Sequence, residues 1–256
     1  MLSSIVFLVT FELIIGVLQA GKVQQRIRYG SDAEDFSVLL LKKEIQVGFF
    51  TMEGTCTATL ITPQIILTAA HCFDEGATRN YVTYGCSDLK SKSCKNMDVV
   101  AQTIHPKYVN TGKIRYDMTK MYYDIAVAKL ASPLPGITPK NLPGPDQTPC
   151  GYATLMGWGK TQSGKATEVL QSTTLQIVDR PSFAIAEEAI LVDENNGPSG
   201  IEGGDSGGPL LIGDTVFGVA SSSGGRVWFG NRYASYMSVQ YYSDFIQNAM
   251  RKYGGR

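Results

Sequence analysis

The sequence predicts an all-β protein made of two β-rich halves and closed by one C-terminal helix. Three observations predict it. Short segments rich in β-branched and apolar residues recur along the chain with turn residues between them. A stretch rich in proline and glycine, Ser132 to Cys150, divides these segments into two sets. Clear helical spacing occurs only near the C-terminus.

The elements follow in chain order. Ile5 to Ala20 is apolar apart from Thr10, Glu12 and Gln19, too short and interrupted to span a bilayer comfortably. With small residues at Ala20 and Gly21, residues 1–20 read as a secretory signal peptide in preference to a membrane anchor or a buried strand. Strands are expected at Thr57–Ile61, Ile65–Ala69, Tyr81–Tyr84, Val99–Ile104 and Ile125–Leu130. After the break they resume at Ala153–Trp158, Thr173–Val178, Pro209–Ile212 and Thr215–Ser221. Val239, Tyr242, Phe245, Ile246 and Ala249 then recur at helical spacing, with Ser238 placed to cap the start and Gly254 past the end. There is no tandem repeat.

Composition narrows the function classes. The 256 residues are 43% hydrophobic and 18% charged, as in a folded soluble protein. With 23 basic and 23 acidic side chains the chain has no basic field for nucleic acid. Without residues 1–26 the counts become 21 and 22, still near neutral. The sequence contains no cluster of metal-ligand spacing and no Asn-x-Ser/Thr glycosylation site.

The sharpest local feature is Gly203-Gly204-Asp205-Ser206-Gly207-Gly208-Pro209. A serine among glycines lets a substrate and backbone N–H groups approach closely. Gly204-x-Ser206-x-Gly208 formally fits the nucleophile elbow of α/β-hydrolases, but that fold places its histidine after the serine, and none follows Ser206. A serine nucleophile needs a base, and the chain has two histidines. His71 ends an apolar strand in Leu67-Thr68-Ala69-Ala70-His71-Cys72, whereas His105 precedes Pro106 in what reads as a solvated surface turn. The base in turn needs a carboxylate. Asp124 heads the apolar segment Asp124–Leu130, a costly place for an unpartnered charge. Asp117 sits among polar residues and reads as solvated. The candidates therefore run His71, Asp124, Ser206.

Leu67–Cys72, Asp124–Leu130, Gly157-Trp158-Gly159 and Gly204–Pro209, in this order, resemble the motifs of chymotrypsin/trypsin-like serine endopeptidases. The similarity runs from about Ile27 to the final helix. The resemblance implies two six-stranded antiparallel β-barrels with the active site between them, plus the C-terminal α-helix. The N-terminal barrel would span about 27–140, and the second barrel with the helix about 141–256. It also implies that Ser206 attacks the scissile carbonyl, that His71 carries the proton and that Asp124 orients the ring. The backbone N–H groups of Gly204 and Ser206 would form the oxyanion hole. Ser221 would support the aspartate at the start of a substrate-pairing strand. No cofactor is needed for such chemistry. The partners would be polypeptide substrates, an activating protease and protein inhibitors, with neither nucleic acid nor membrane, and the protein would be secreted.

Further correspondences follow from the same resemblance. Arg26-Ile27 matches a zymogen activation bond, making residues 21–26 a propeptide and pairing the new Ile27 ammonium with Asp205. The terminus reads Ile27-Arg28-Tyr29-Gly30, departing from the usual Ile-Val-Gly-Gly. Cys56 and Cys72 match the disulfide of the histidine loop, worth roughly 3 kcal/mol by chain entropy. Cys86 and Cys94 bracket a polar loop and are expected to pair, leaving Cys150 without an evident mate. Gly200 stands where trypsins carry the pocket aspartate, with Ser223 and Ala234 at the matching walls. This uncharged set argues against cleavage after Lys or Arg. Glu202 replaces a family cysteine whose partner is also missing. Turned inward it selects a basic residue; turned outward, the expected orientation, it is a solvated loop charge. The alternative function is an inactive protease-like binding or regulatory protein.

Overall fold

The computed structural model describes residues 30–73, 76–109, 123–160, 165–178, 188–194, 200–228 and 231–255. The expected signal peptide, the propeptide, Arg26, Ile27 and Asp117 lie outside them. Among the described residues, six strands close the first barrel: β2 (Val38–Val47), β3 (Phe50–Thr62), β4 (Ile65–Thr68), β5 (Arg79–Tyr84), β6 (Lys95–Ile104) and β7 (Ala126–Leu130). They pair antiparallel in the order β2-β3-β4-β7-β6-β5, and β5 returns to β2. The second set is β8 (Tyr152–Gly157), β9 (Gln171–Ile177), β10 (Ala189–Asp193), β11 (Pro209–Ile212), β12 (Thr215–Trp228) and β13 (Asn231–Ser238). Its order β9-β10-β13-β12-β11-β8 is closed by pairing of β8 with β9. The fold class is the one expected, and every expected strand is present.

Both barrels have strands buried on two faces. In β2, Leu39 and Leu41 point into the first barrel, while Val38 and Leu40 meet Trp158 and Leu170 from the second half. Successive side chains of a strand face opposite ways, so a strand between a barrel interior and a neighbouring barrel is apolar at every position. The same occurs in β13, where Ala234 and Tyr236 fill the second core and Met237 joins the first. Neither of these strands, nor β10, is evident from periodicity.

The ends of the chain cross to the opposite barrel. The short strand β1 (Ser31–Asp32), within the residues expected of the N-terminal barrel, pairs with β9 of the second. Helix α1 (Ser243–Lys252) follows the second barrel, yet Ile246, Ala249 and Met250 bury against the first core. Tyr253 Oη and Thr103 Oγ1 lie 2.6 Å apart at that contact. Ser238 does not cap the helix. Tyr242 occupies the cap position and its side chain makes no capping bond to the helix, and Ser238 Oγ accepts from the Tyr241 N–H (3.3 Å) in the preceding turn. Gly254, at φ +79°, ends α1 as expected: its N–H reaches the Arg251 carbonyl (3.1 Å), and the Gly255 N–H reaches Met250 (2.9 Å).

Candidate active site

β4 is buried at all four positions between β3 and β7, so its end is rigidly placed. The chain leaves it in a single 3₁₀ turn, Ala70–Cys72, that carries His71. The Cys56–Cys72 disulfide ties this turn back to β3. The second expected disulfide, Cys86–Cys94, is also formed, and Cys150 is a free, exposed cysteine. The Cys56, His71 and Cys72 ligand atoms lie within 4.8 Å of one another, but the two sulfurs are bonded together and offer no thiolate to a metal.

Asp124 immediately precedes β7 and is 4% exposed. Three donors satisfy its carboxylate: the His71 backbone N–H to Oδ1 (2.9 Å), His71 Nδ1 to Oδ2 (2.7 Å) and Ser221 Oγ to Oδ2 (2.6 Å). A carboxylate at Nδ1 fixes the imidazole proton there and leaves Nε2 as the basic nitrogen. The His71 side chain is one-third exposed. Ser221, on β12, brings the second barrel to a carboxylate of the first.

Ser206 lies in the turn entering β11, stitched to the first barrel by Thr57. The Thr57 N–H donates to the Ser206 carbonyl (2.8 Å), and Thr57 Oγ1 donates to the Gly204 carbonyl (2.9 Å). The Trp158 N–H donates to Thr57 Oγ1 (3.2 Å). Cys72 Sγ lies 3.7 Å from the Ser206 carbonyl oxygen, so the serine turn abuts the histidine turn. Gly207 is required here: its φ is +81°, and a Cβ would sit 2.0 Å from Thr68 Oγ1.

Asp205 is buried and accepts from the backbone N–H groups of Gly159 (2.7 Å) and Glu202 (2.9 Å). Gly159 makes room for it, since a Cβ there would lie 2.2 Å from Asp205 Oδ2. Burial pushes the Asp205 carboxyl up to about 7, against the pull of these two N–H donors. A buried carboxylate so raised is poised to take a counter-charge.

The same arrangement of strands and motifs is found in known proteins. The family model described as Trypsin matches residues 27–246. The chain belongs to the trypsin family. It is 34% identical over 187 residues to a trypsin of Phaedon cochleariae, covering 65% of this chain and 67% of that one. It is 29% identical to Trypsin iota of Drosophila melanogaster (65% and 67% covered) and 26% identical to cathepsin G of Mus musculus (79% and 77% covered). The fold superposes on a structure titled HL collagenase with a TM-score of 0.69, at 24% identity over 86% of this chain and 97% of that one. The protein is accordingly a serine endopeptidase.

For a trypsin-family enzyme the site is largely assembled from residues the sequence singles out. His71, Asp124 and Ser221 are directly bonded, and Ser206, Gly204 and Asp205 share one turn beside them. Gly200 is buried, Glu202 is half-buried and Ala234 is buried on β13; Ser223 lies on β12. His105 corrects the sequence reading. It is not a solvated turn residue, because its ring stacks on Tyr123 at 4.7 Å and meets Phe245 at 4.8 Å. Burial, and secondarily Lys107, push its pKa below the usual histidine range. Sequence reasoning also passed over Thr57, whose hydroxyl joins the barrels, Thr68, whose hydroxyl donates to the Thr57 carbonyl (2.8 Å), and Glu194, a buried carboxylate whose Oε1 accepts the Ile201 N–H (2.9 Å). The only available signal was their position at the ends of apolar segments.

Proposed function

We propose that the chain is a secreted endopeptidase made as a zymogen, activated by cleavage after Arg26 and working through His71, Asp124 and Ser206. Residues 1–20 are the signal peptide, 21–26 the propeptide and 27–256 the working protease. The observation that carries the reading is the triply bonded Asp124 carboxylate, which holds His71 from one barrel while Ser221 reaches it from the other. Two disulfides support an oxidising compartment, and a venom serine protease of Polistes dominula is among the relatives, 29% identical over 216 residues.

In the proposed reaction His71 Nε2 takes the Ser206 hydroxyl proton as Oγ bonds to the scissile carbonyl carbon. The resulting oxyanion is held by the N–H groups of Gly204 and Ser206, and one such donor is worth about a hundredfold to a thousandfold in rate. Collapse breaks the C–N bond, and the imidazolium gives its proton to the leaving amine. Water, deprotonated by the same nitrogen, then hydrolyses the acyl-enzyme. Asp124 remains ionised throughout and stabilises the imidazolium.

Activation supplies Asp205 with the Ile27 ammonium, which orders the turn carrying Gly204 and Ser206. At the expected pocket base Gly200 contributes no side chain and no charge, so the enzyme disfavours Lys and Arg before the scissile bond. Its partners are polypeptide substrates, an activating protease and protein inhibitors. The test is covalent labelling by an aryl phosphonate. Chain cleaved after Arg26 gains the phosphonyl group at Ser206, whereas uncleaved chain and Ser206→Ala do not. Folded, cleaved protein that stays unlabelled overturns the proposal and favours a binding role.

A further inference from the structure

Tyr123, the residue before Asp124, has a φ of +68° and is the one non-glycine residue with positive φ among those described. For a bulky L-residue this left-handed backbone is strained, so the surroundings must impose it. The Ile125 N–H donates to the Tyr123 carbonyl (2.8 Å), closing a three-residue turn with Asp124 at its centre. The direction of the Asp124 carboxylate is therefore coupled to the conformation of Tyr123.

An aromatic clamp supplies the constraint. The Tyr123 N–H donates to Tyr242 Oη (3.0 Å), and its ring lies nearly parallel to His105, 4.7 Å away with a 16° tilt. His105 in turn packs against Tyr242 (5.5 Å) and Phe245 (4.8 Å) from α1 and the segment before it. Its own backbone N–H donates to the Ile125 carbonyl (3.1 Å), so the clamp grips the turn on both sides of Asp124. The Lys107 N–H donates to His105 Nδ1 (3.2 Å), which requires the lone pair of a neutral ring. The Lys107 ammonium also lies over the Tyr123 ring, 5.2 Å from its centre. Aromatic pairs of this kind are stabilising, and together they oppose the backbone strain.

We propose that Tyr123, held left-handed by stacking on His105 and by Tyr242 Oη, is a positioning residue that aims the Asp124 carboxylate at His71. The proposal rests on the reading of His71 and Asp124 as catalytic partners. Without the clamp Tyr123 relaxes to negative φ, the turn opens and the carboxylate swings off Nδ1. The imidazolium then loses stabilisation, which lowers turnover and leaves ground-state binding of the substrate intact.

Tyr123→Gly separates the two contributions, because glycine accepts positive φ without strain but cannot stack. It keeps the fold and, in cleaved protein, lowers kcat at least tenfold with KM changed less than twofold. The acid limb of the kcat profile moves to lower pH, since His71 holds its proton less tightly. His105→Ala behaves alike and His105→Phe, which stacks again, restores kcat to within twofold of wild type. A second measurement needs no turnover. In Ser206→Ala the low-field proton resonance of His71 Nδ1–H is present, and adding Tyr123→Gly or His105→Ala broadens or removes it. Folded Tyr123→Gly and His105→Ala that keep both the wild-type profile and this resonance overturn the proposal. Cleaved wild-type protein that is inert, yet shows the clamp-dependent resonance, overturns instead the catalytic reading beneath it.

Discussion

At the scale of single residues, most of the site's precision comes from hydroxyl groups. Thr57 Oγ1 is fully buried and serves two backbone groups at once, accepting from the Trp158 N–H and donating to the Gly204 carbonyl. Valine has the same shape without either capacity. Thr57→Val leaves an N–H and a C=O unpaired in the interior, each worth about 1–3 kcal/mol. We expect a loss of about 2–4 kcal/mol in urea unfolding, together with a lower kcat, because the Gly204 peptide is no longer held. Thr57→Ser keeps the hydroxyl and should stay within about 1 kcal/mol of wild type. If valine and serine behave alike, packing rather than the hydrogen bonds secures the turn.

At the scale of elements, the hairpin of β2 and β3 shows how far an antiparallel pair can outrun its core. Leu39, Leu41, Ala58 and Leu60 are buried at its base. At its far end Val47, Phe49, Phe50 and Met52 stand in solvent, Phe49 at 102% relative exposure. Because Phe49 buries nothing and Phe50 little, replacing these two should leave stability within about 0.5 kcal/mol. Phe49→Ser with Phe50→Thr should also lower binding of a hydrophobic dye and aggregation on concentration. A fall in melting temperature of more than a few degrees would contradict this. Strands with one wet face, such as β6, alternate and can be read directly from the sequence. β2, β10 and β13 could not, because burial on two faces removes the period of two. The residues of the candidate site were legible for a different reason: the glycines around Ser206 mark an open turn, and His71 and Asp124 each border an apolar strand, where an unpartnered polar group is costly. His105 failed the same test because Pro106 marked a turn, and nothing local indicated that α1, more than a hundred residues later, would cover the ring.

At the scale of the whole molecule, the ends of the chain couple the barrels. β1 lies on the second barrel and α1 on the first, so each of these terminal elements crosses the seam that holds the site. Asp205 is where that coupling becomes measurable. Its carboxyl is raised from 3.8 to about 7 chiefly by burial. Between these values the folded, uncleaved chain binds a proton that the unfolded chain has released. Stability therefore falls as pH rises from about 4 to about 7 and levels off above, by about 4 kcal/mol for a shift of that size. Cleavage after Arg26 should reverse this, because an Ile27 ammonium favours the ionised carboxylate and removes its penalty at neutral pH. Urea unfolding across pH 4–8 should give a falling curve for uncleaved chain. The curve should be flatter for cleaved chain, and equally flat for uncleaved Asp205→Asn, which has no proton to release. Other groups titrate in all three proteins and cancel in the differences. Curves for cleaved and uncleaved chain that run parallel across this window would rule out Asp205 as the acceptor of the new N-terminus, and would place the activating contact elsewhere on the seam.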